Sequence, residues 1–206
     1  MSVATLTSPT ETYVSQPMTA EVVVPKALIY EMVEGQPIYY RGWQAVLRGE
    51  KTIEQVMASS AIQSYLSSEI LVKIHPQLKK NYIFATNEAG LKFEKGDWRA
   101  ADIGIWTRES VRNAPLNDKY WNIMPTIVIE IDTKADTAEL PLYYLDKTQD
   151  LLKRGIKRVL WIFTKTKQVM VAELGQKWEI QNWTESVEVV DGCMFNVQEM
   201  IDDFDL

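Results

Sequence analysis

The stretch that most restricts the fold is PTIVIEIDTKAD, residues 125–136. Ile127 to Ile131 forms the most apolar strand in the chain, yet it carries Glu130 and runs on into Asp132, Lys134 and Asp136. Carboxylates beside buried Ile and Val are costly unless a cation or hydrogen bonds compensate them. Side chains alternate along a strand. Ile127, Ile129 and Ile131 therefore share one face, and Val128, Glu130 and Asp132 the other. Downstream, LPLYYLDKTQDLLKRG predicts a helix over 140–154 that stops at Gly155 and feeds into RVLWIFT, a second apolar strand. A strand–helix–strand unit normally makes a right-handed crossover between parallel strands. Runs that are apolar on both faces belong inside an α/β layer.

The remaining elements build around that unit. ALIYEMVEGQPIYYRG predicts a hairpin turning at Glu34-Gly35-Gln36-Pro37. From Thr52 the apolar residues Ile53, Val56, Ile62, Leu66, Ile70 and Ile74 keep helical spacing. Capping-box pairs at Thr52/Gln55 and Ser60/Gln63 allow two helices or one bent helix, ended by His75-Pro76. NYIFATNEAGLKFEKGDWRAADIGIW reads as strand, turn, strand, turn, strand. KQVMVAEL and KWEIQNW add hairpin strands, and VEVVDGCMFNVQEMIDDF a strand, a glycine turn and a short amphipathic helix. The expected fold is α/β: a mixed β-sheet core flanked by helices, with an N-terminal hairpin and C-terminal hairpin strands. Residues 1–25, rich in Ser, Thr, Val and Pro, are expected to form a flexible arm, and 26–206 a single domain.

Composition narrows the function. A chain of 206 residues with 46% hydrophobic and 24% charged residues has the size and make-up of one globular domain. A net charge of -6 argues against nonspecific coating of nucleic acid, though not against a local basic groove. One cysteine, Cys193, and one histidine, His75, exclude a cysteine-rich zinc site and His-pair metal motifs. No apolar run spans a bilayer, and the first residues lack the pattern of a secretory signal. A cytoplasmic protein is expected.

The chemistry gathers on three segments. In RAADIGIW, Asp102 alternates with Ile103 and Ile105 inside an apolar strand, where Asp is disfavoured. Gly104 leaves room for a close approach on its face. If this strand pairs with 126–132, Asp102 and Glu130 converge, and two carboxylates, a backbone carbonyl and waters make a fair magnesium site. A lysine beside such a pair would orient water or stabilise phosphate charge in a transition state. Two compete. Lys134 lies just beyond the strand, and Lys147 lies at i+3 and i+4 spacing between Tyr144 and Leu151, on or beside the packed side of its helix.

This triad resembles that of the PD-(D/E)XK nuclease superfamily. YEMVEGQPIYYRG, DIGIW, PTIVIEIDTKAD, KTQDLLKRGIKRVLWI and VEVVDG, in that order over roughly residues 27–200, resemble the restriction-endonuclease family abundant in cyanobacteria, often filed as a domain of unknown function. The resemblance implies a restriction-endonuclease-like core and Mg²⁺-dependent (or Mn²⁺-dependent) hydrolysis of DNA phosphodiester bonds. Asp102 and Glu130 would be metal ligands, with Asp132 as a further one. Asp132 stands where the E-x-K motif has lysine, so the role falls to Lys147, upstream of Gly155-Ile156, or to Lys134. The first-helix glutamate that the superfamily often adds has Glu69 as its candidate, against a solvated helix edge. The alternative function is a nuclease-like fold without catalysis, kept for binding DNA or a protein. Two strands to cut imply two active sites, hence an expected homodimer, with the surface near Ile38–Trp43 as a pairing face.

Overall fold

A mixed eight-stranded sheet runs through the computed structural model, which describes residues 23–204. The expected N-terminal arm therefore lies almost wholly outside the described residues. The chain enters the sheet through β1 (Ile29–Val33) and β2 (Gln36–Tyr39), turned at Glu34-Gly35 with φ of +52° and +75°. A two-residue loop of that handedness matches the twist of the strands it joins. Asp97 locks it by accepting hydrogen bonds from both turn amides at 2.9 Å.

Short helices α1 (Trp43–Leu47) and α2 (Ile53–Met57) follow, then the long α3 (Ala61–Leu78). The two capping signals thus mark two separate helices. Thr52 and Gln55 form a reciprocal capping box. Ser60 accepts from the Gln63 amide and starts α3, but the Gln63 side chain goes elsewhere. Helix α3 does not stop at His75-Pro76, as the sequence predicts, but runs on to Leu78. Pro76 lacks the donor that would serve the Val72 carbonyl. Val72 is 67% exposed, so water can replace that bond.

Strands β3 (Tyr82–Lys92) and β4 (Trp98–Thr107) make a long antiparallel hairpin. The predicted turn inside 81–92 is instead a bulge within one continuous strand. Asn87 and Glu88, at φ of +64° and +55°, both fall between the pairs Thr86↔Ile103 and Ala89↔Ala101, opposite Asp102. Strand β5 (Ile127–Ile131), helix α4 (Tyr143–Lys153) and strand β6 (Arg158–Phe163) form the crossover, with β5 and β6 parallel. Helix α4 starts three residues later than predicted, because Leu140 is left 39% exposed and Tyr143 takes the buried position. Strands β7 (Gln168–Glu173) and β8 (Glu179–Asn182) extend the sheet. Strands β9 (Val187–Val190) and β10 (Cys193–Phe195) pair separately before α5 (Val197–Phe204). The sheet order is β2-β1-β4-β5-β6-β7-β8, with β3 on the remaining edge of β4.

Each face of the sheet has its own core. Ile103, Ile105, Ile127, Ile129 and Ile131 pack on the side of α3, against Leu66, Ile70 and Ile74. Ala100, Trp106, Val128 and Trp161 pack on the side of α4, with Tyr143, Leu151 and Leu152. The edge of β4 away from β3 is divided. Strand β5 pairs with residues 103–105, and β1 touches it only at Met32↔Trp98. Between them, the backbone around Ala100 to Asp102 is left for side chains to use.

The room at Gly104 is taken by Trp106. A Cβ on Gly104 would lie 2.4 Å from the Trp106 ring, which is fully buried and donates to the Ile123 carbonyl at 2.8 Å. Gly104→Ala is therefore expected to cost about 1–3 kcal/mol through overpacking. In a domain of this size that lowers the melting temperature by roughly 2–10 °C, read by circular dichroism.

Candidate active site

Asp102 and Glu130 flank the last paired residues of β4 and β5, Ile103 and Ile129. Antiparallel register sets them opposite each other, and strand alternation turns both away from the isoleucine face. Asp102 is partly buried. Its Oδ2 accepts from the Ile131 amide at 2.7 Å, and both its oxygens accept from Gln63 Nε2, at 3.2 and 3.3 Å. The same Gln63 nitrogen donates to the Ile131 carbonyl at 3.0 Å. Helix α3 thus reaches the acids through Gln63, six residues before Glu69.

Lys147 comes from α4 and is completely buried. Its Nζ lies 3.0 Å from Glu130 Oε1 and 2.8 Å from Glu31 Oε1, and donates to the Ala100 carbonyl at 2.8 Å. The rings of Tyr30, Tyr143 and Trp161 surround it, with centroids 5.7, 5.9 and 5.5 Å away. Burial by itself disfavours the ammonium. Glu130 first, then Glu31, outweigh this and hold its pKa well above the ordinary lysine range. The structure therefore brings Lys147, rather than Lys134, to the acid pair.

Lys134 pairs instead with Glu88, the residue pushed out by the β3 bulge, which also accepts from the Tyr40 hydroxyl at 3.1 Å. Backbone bonds from Arg41 to Lys134 and from Asp136 to Tyr39 tie this segment to the end of the first hairpin. Asp132 leaves the strand pattern. Its φ is +53°, and its carboxylate accepts from the Thr164 amide at 2.9 Å and from the Thr164 hydroxyl. Aspartate tolerates that conformation, and a left-handed residue ends the alternation that the sequence extended through 132. Among the described residues no three Asp, Glu, His or Cys side chains gather in ligating geometry. Asp132 thus serves as a latch between strand ends, apart from any three-carboxylate cluster with Asp102 and Glu130.

The pair nonetheless fits a divalent cation. Glu130 is almost fully buried, and its Oε1 has no well-directed hydrogen bond. Burial first, then the charges of Asp102 and Glu31, push the Glu130 pKa up to about 8 in spite of Lys147. Burial likewise raises Asp102, against the Ile131 amide and Lys147. Two desolvated carboxylates, one of them met only by the Lys147 ammonium at Oε1, make a donor set that a hard cation would stabilise.

Three contributors were missed from sequence. Glu31 is wholly buried in β1 and Arg99, nearly so, in β4. Each is a charged residue inside an apolar strand, the same signal that singled out Asp102. In the sequence Gln63 has the place of a cap residue, and nothing local distinguishes a capping glutamine from one that reaches a site.

Beside the acids a cleft of about 310 Å³ opens, lined by Arg41, Lys51, Ser60, Gln63, Asp132 and Lys134 among others. Its charges are mixed: Arg41 and Lys51 share it with Asp132, and Lys134 is paired with Glu88. Residues 41–198 match the family model described as "Uma2: Putative restriction endonuclease". The chain belongs to the Uma2 family. Among solved structures, the chain is similar to a "putative nuclease belonging to DUF820" from Anabaena variabilis ATCC 29413. The two share 16% identity and a TM-score of 0.62, over 84% of this chain and 89% of that one. No curated protein matches the chain. The Uma2 match and the shared fold bear out the restriction-endonuclease-like reading of the sequence.

Glu130 gives the metal-free protein a definite pH dependence. Its folded pKa of about 8 stands above the ordinary value of 4.5. Between those values the folded chain holds the proton that the unfolded chain has lost, so stability falls as pH rises through this window. Glu130→Gln stays neutral throughout. Urea unfolding in chelator between pH 5 and 8 is expected to show a falling midpoint for the wild type and a flatter profile for the variant.

Proposed function

We propose that this Uma2 protein is a divalent-metal-dependent endonuclease that hydrolyses phosphodiester bonds in DNA. One observation carries the reading: two desolvated carboxylates from adjacent strands, Asp102 and Glu130, meet at the divided edge of β4, with a buried lysine 3.0 Å from Glu130. Asp102 and Glu130 would hold the cation, Mg²⁺ or Mn²⁺, with Asp132 outside the set. When bound, the metal would supply Lewis-acid stabilisation of phosphate charge and a more acidic water.

The residues of the chain do the rest. Gln63 and the Ile131 amide fix the Asp102 carboxylate, so its orientation does not depend on substrate. Lys147 holds positive charge beside Glu130, where negative charge accumulates as a phosphate is attacked. Arg41 and Lys51 offer cations along the cleft to a phosphate backbone, while Lys134 lines it paired with Glu88. Lys147 would then be the lysine of the reacting centre. A homodimer would supply one such centre per strand. No helix among the described residues is long and apolar enough to cross a membrane.

The second reading, a binding module without catalysis, is favoured by one fact. Lys147 is 0% exposed and already occupied by two carboxylates. Incubation of supercoiled DNA with the protein and Mg²⁺ or Mn²⁺ separates the two. Cleavage that requires the ion and falls by at least about 100-fold in Glu130→Ala and in Asp102→Ala is expected, as for lost metal ligands. Tight DNA binding without cleavage under any divalent ion would establish the second reading instead. Calorimetric titration with Mn²⁺ is expected to give one site in the wild type and none in Asp102→Ala/Glu130→Ala. Sedimentation showing only monomer would remove the dimer.

A further inference from the structure

Glu31 is the most deeply placed acid that this mechanism leaves unused. It sits at 0% exposure on β1, a strand that contributes no other residue to the acid pair. Burying a carboxylate so completely demands compensation, and here every surrounding element supplies some. Arg99 Nη1 lies 2.9 Å from Oε2, and the Tyr143 hydroxyl donates to the same oxygen at 3.0 Å. The Ala100 amide donates to Oε1 at 3.2 Å, and Lys147 Nζ lies 2.8 Å from it. Arg99 is held in turn by Asp150 at 2.8 Å. Asp150, Arg99, Glu31, Lys147 and Glu130 thus alternate in sign along one line that ends at the acid pair.

The partners on the two sides of Lys147 are unequal. Glu31 is fixed by an arginine, a phenol and a backbone amide, so it cannot move. Glu130 meets the lysine through Oε1 at 3.0 Å, and that oxygen has no well-directed hydrogen bond. A single ammonium between a fixed carboxylate and a less constrained one divides its charge between them. Glu31 thus competes, at 2.8 Å, for the same ammonium that stands 3.0 Å from Glu130.

We propose that Glu31 is the positioning residue for Lys147: it draws part of the ammonium's charge and so leaves Glu130 free to bind a cation. Without it, Lys147 collapses onto Glu130 and competes with the metal. Glu31 touches neither substrate nor metal and acts only through the lysine. The inference rests on the metal-dependent reading of the site, and its test also contains a metal-free arm.

The test compares the full-length wild type with Glu31→Gln, Lys147→Met and the double variant. Mn²⁺ affinity is measured by calorimetry, and melting temperature in chelator on the same samples. Glu31→Gln is expected to weaken Mn²⁺ binding by about tenfold, the size seen when partners behind metal ligands are removed. In the Lys147→Met background the same substitution is expected to change affinity by less than about threefold, because its effect passes through the lysine. An equal loss in both backgrounds overturns the proposal and leaves Glu31 a residue of the fold alone. In DNA cleavage, Glu31→Gln is expected to lower kcat with KM for DNA little changed, and a raised KM at unchanged kcat would count against it. If the wild type binds no Mn²⁺, the metal reading fails and the melting temperatures decide the Glu31–Lys147 link. Losses in the double variant smaller than the sum of the singles uphold the link, and additive losses refute it.

Discussion

Burying one ammonium governs the architecture around the site. Lys147 has no contact with solvent, so its charge must be met inside the protein. Meeting it takes β1 for Glu31, β4 for the Ala100 carbonyl, β5 for Glu130 and α4 for the lysine itself. Four elements far apart in sequence must therefore dock together, or the charge is stranded. The three aromatic rings around Nζ keep water out, which strengthens each of those interactions and raises the cost of losing any one.

The divided edge of β4 makes that arrangement possible. A fully paired strand would spend its amides and carbonyls on neighbours. Because β5 covers residues 103–105 and β1 touches only Trp98, the Ala100 amide and carbonyl are free to bind Glu31 and Lys147. The divergence of two strands from a third thus builds a polar chamber beside β4 and β5, whose other residues are mostly apolar and buried. The site lies where hydrogen-bonding capacity is left over, at the carboxyl end of β5, the end where sheets of this kind usually hold their ligands.

Much of this was legible in the sequence because the relevant signals are local. Glu130 and Asp102 are carboxylates in strands of period two, and Lys147 is a lysine in a helical apolar stripe. The crossover from β5 through α4 to β6 follows from apolar runs and from Gly155. What escaped depended on contacts distant in the chain. Glu31 acquires meaning only when β1 docks against β4, 68 residues away from Arg99 in sequence. Strand alternation does not by itself orient Asp132, because the residue is left-handed, and aspartate permits that without requiring it. The bulge at Asn87-Glu88 was read as a turn, since polar residues between apolar ones signal both equally. The start of α4 slipped because Leu140 continues the periodic pattern while remaining outside the helix.

The same bulge has a structural corollary. Two residues of β3 stand opposite Asp102, so no fixed rung ties the acid to that strand. Its orientation comes from the other side, from pairing with β5 and from the Ile131 amide. The bulge works as an expansion joint in β3 alone: the two extra residues leave β4 straight, so Asp102, Ala100 and Arg99 keep their places on one strand while β3 takes up the difference in length.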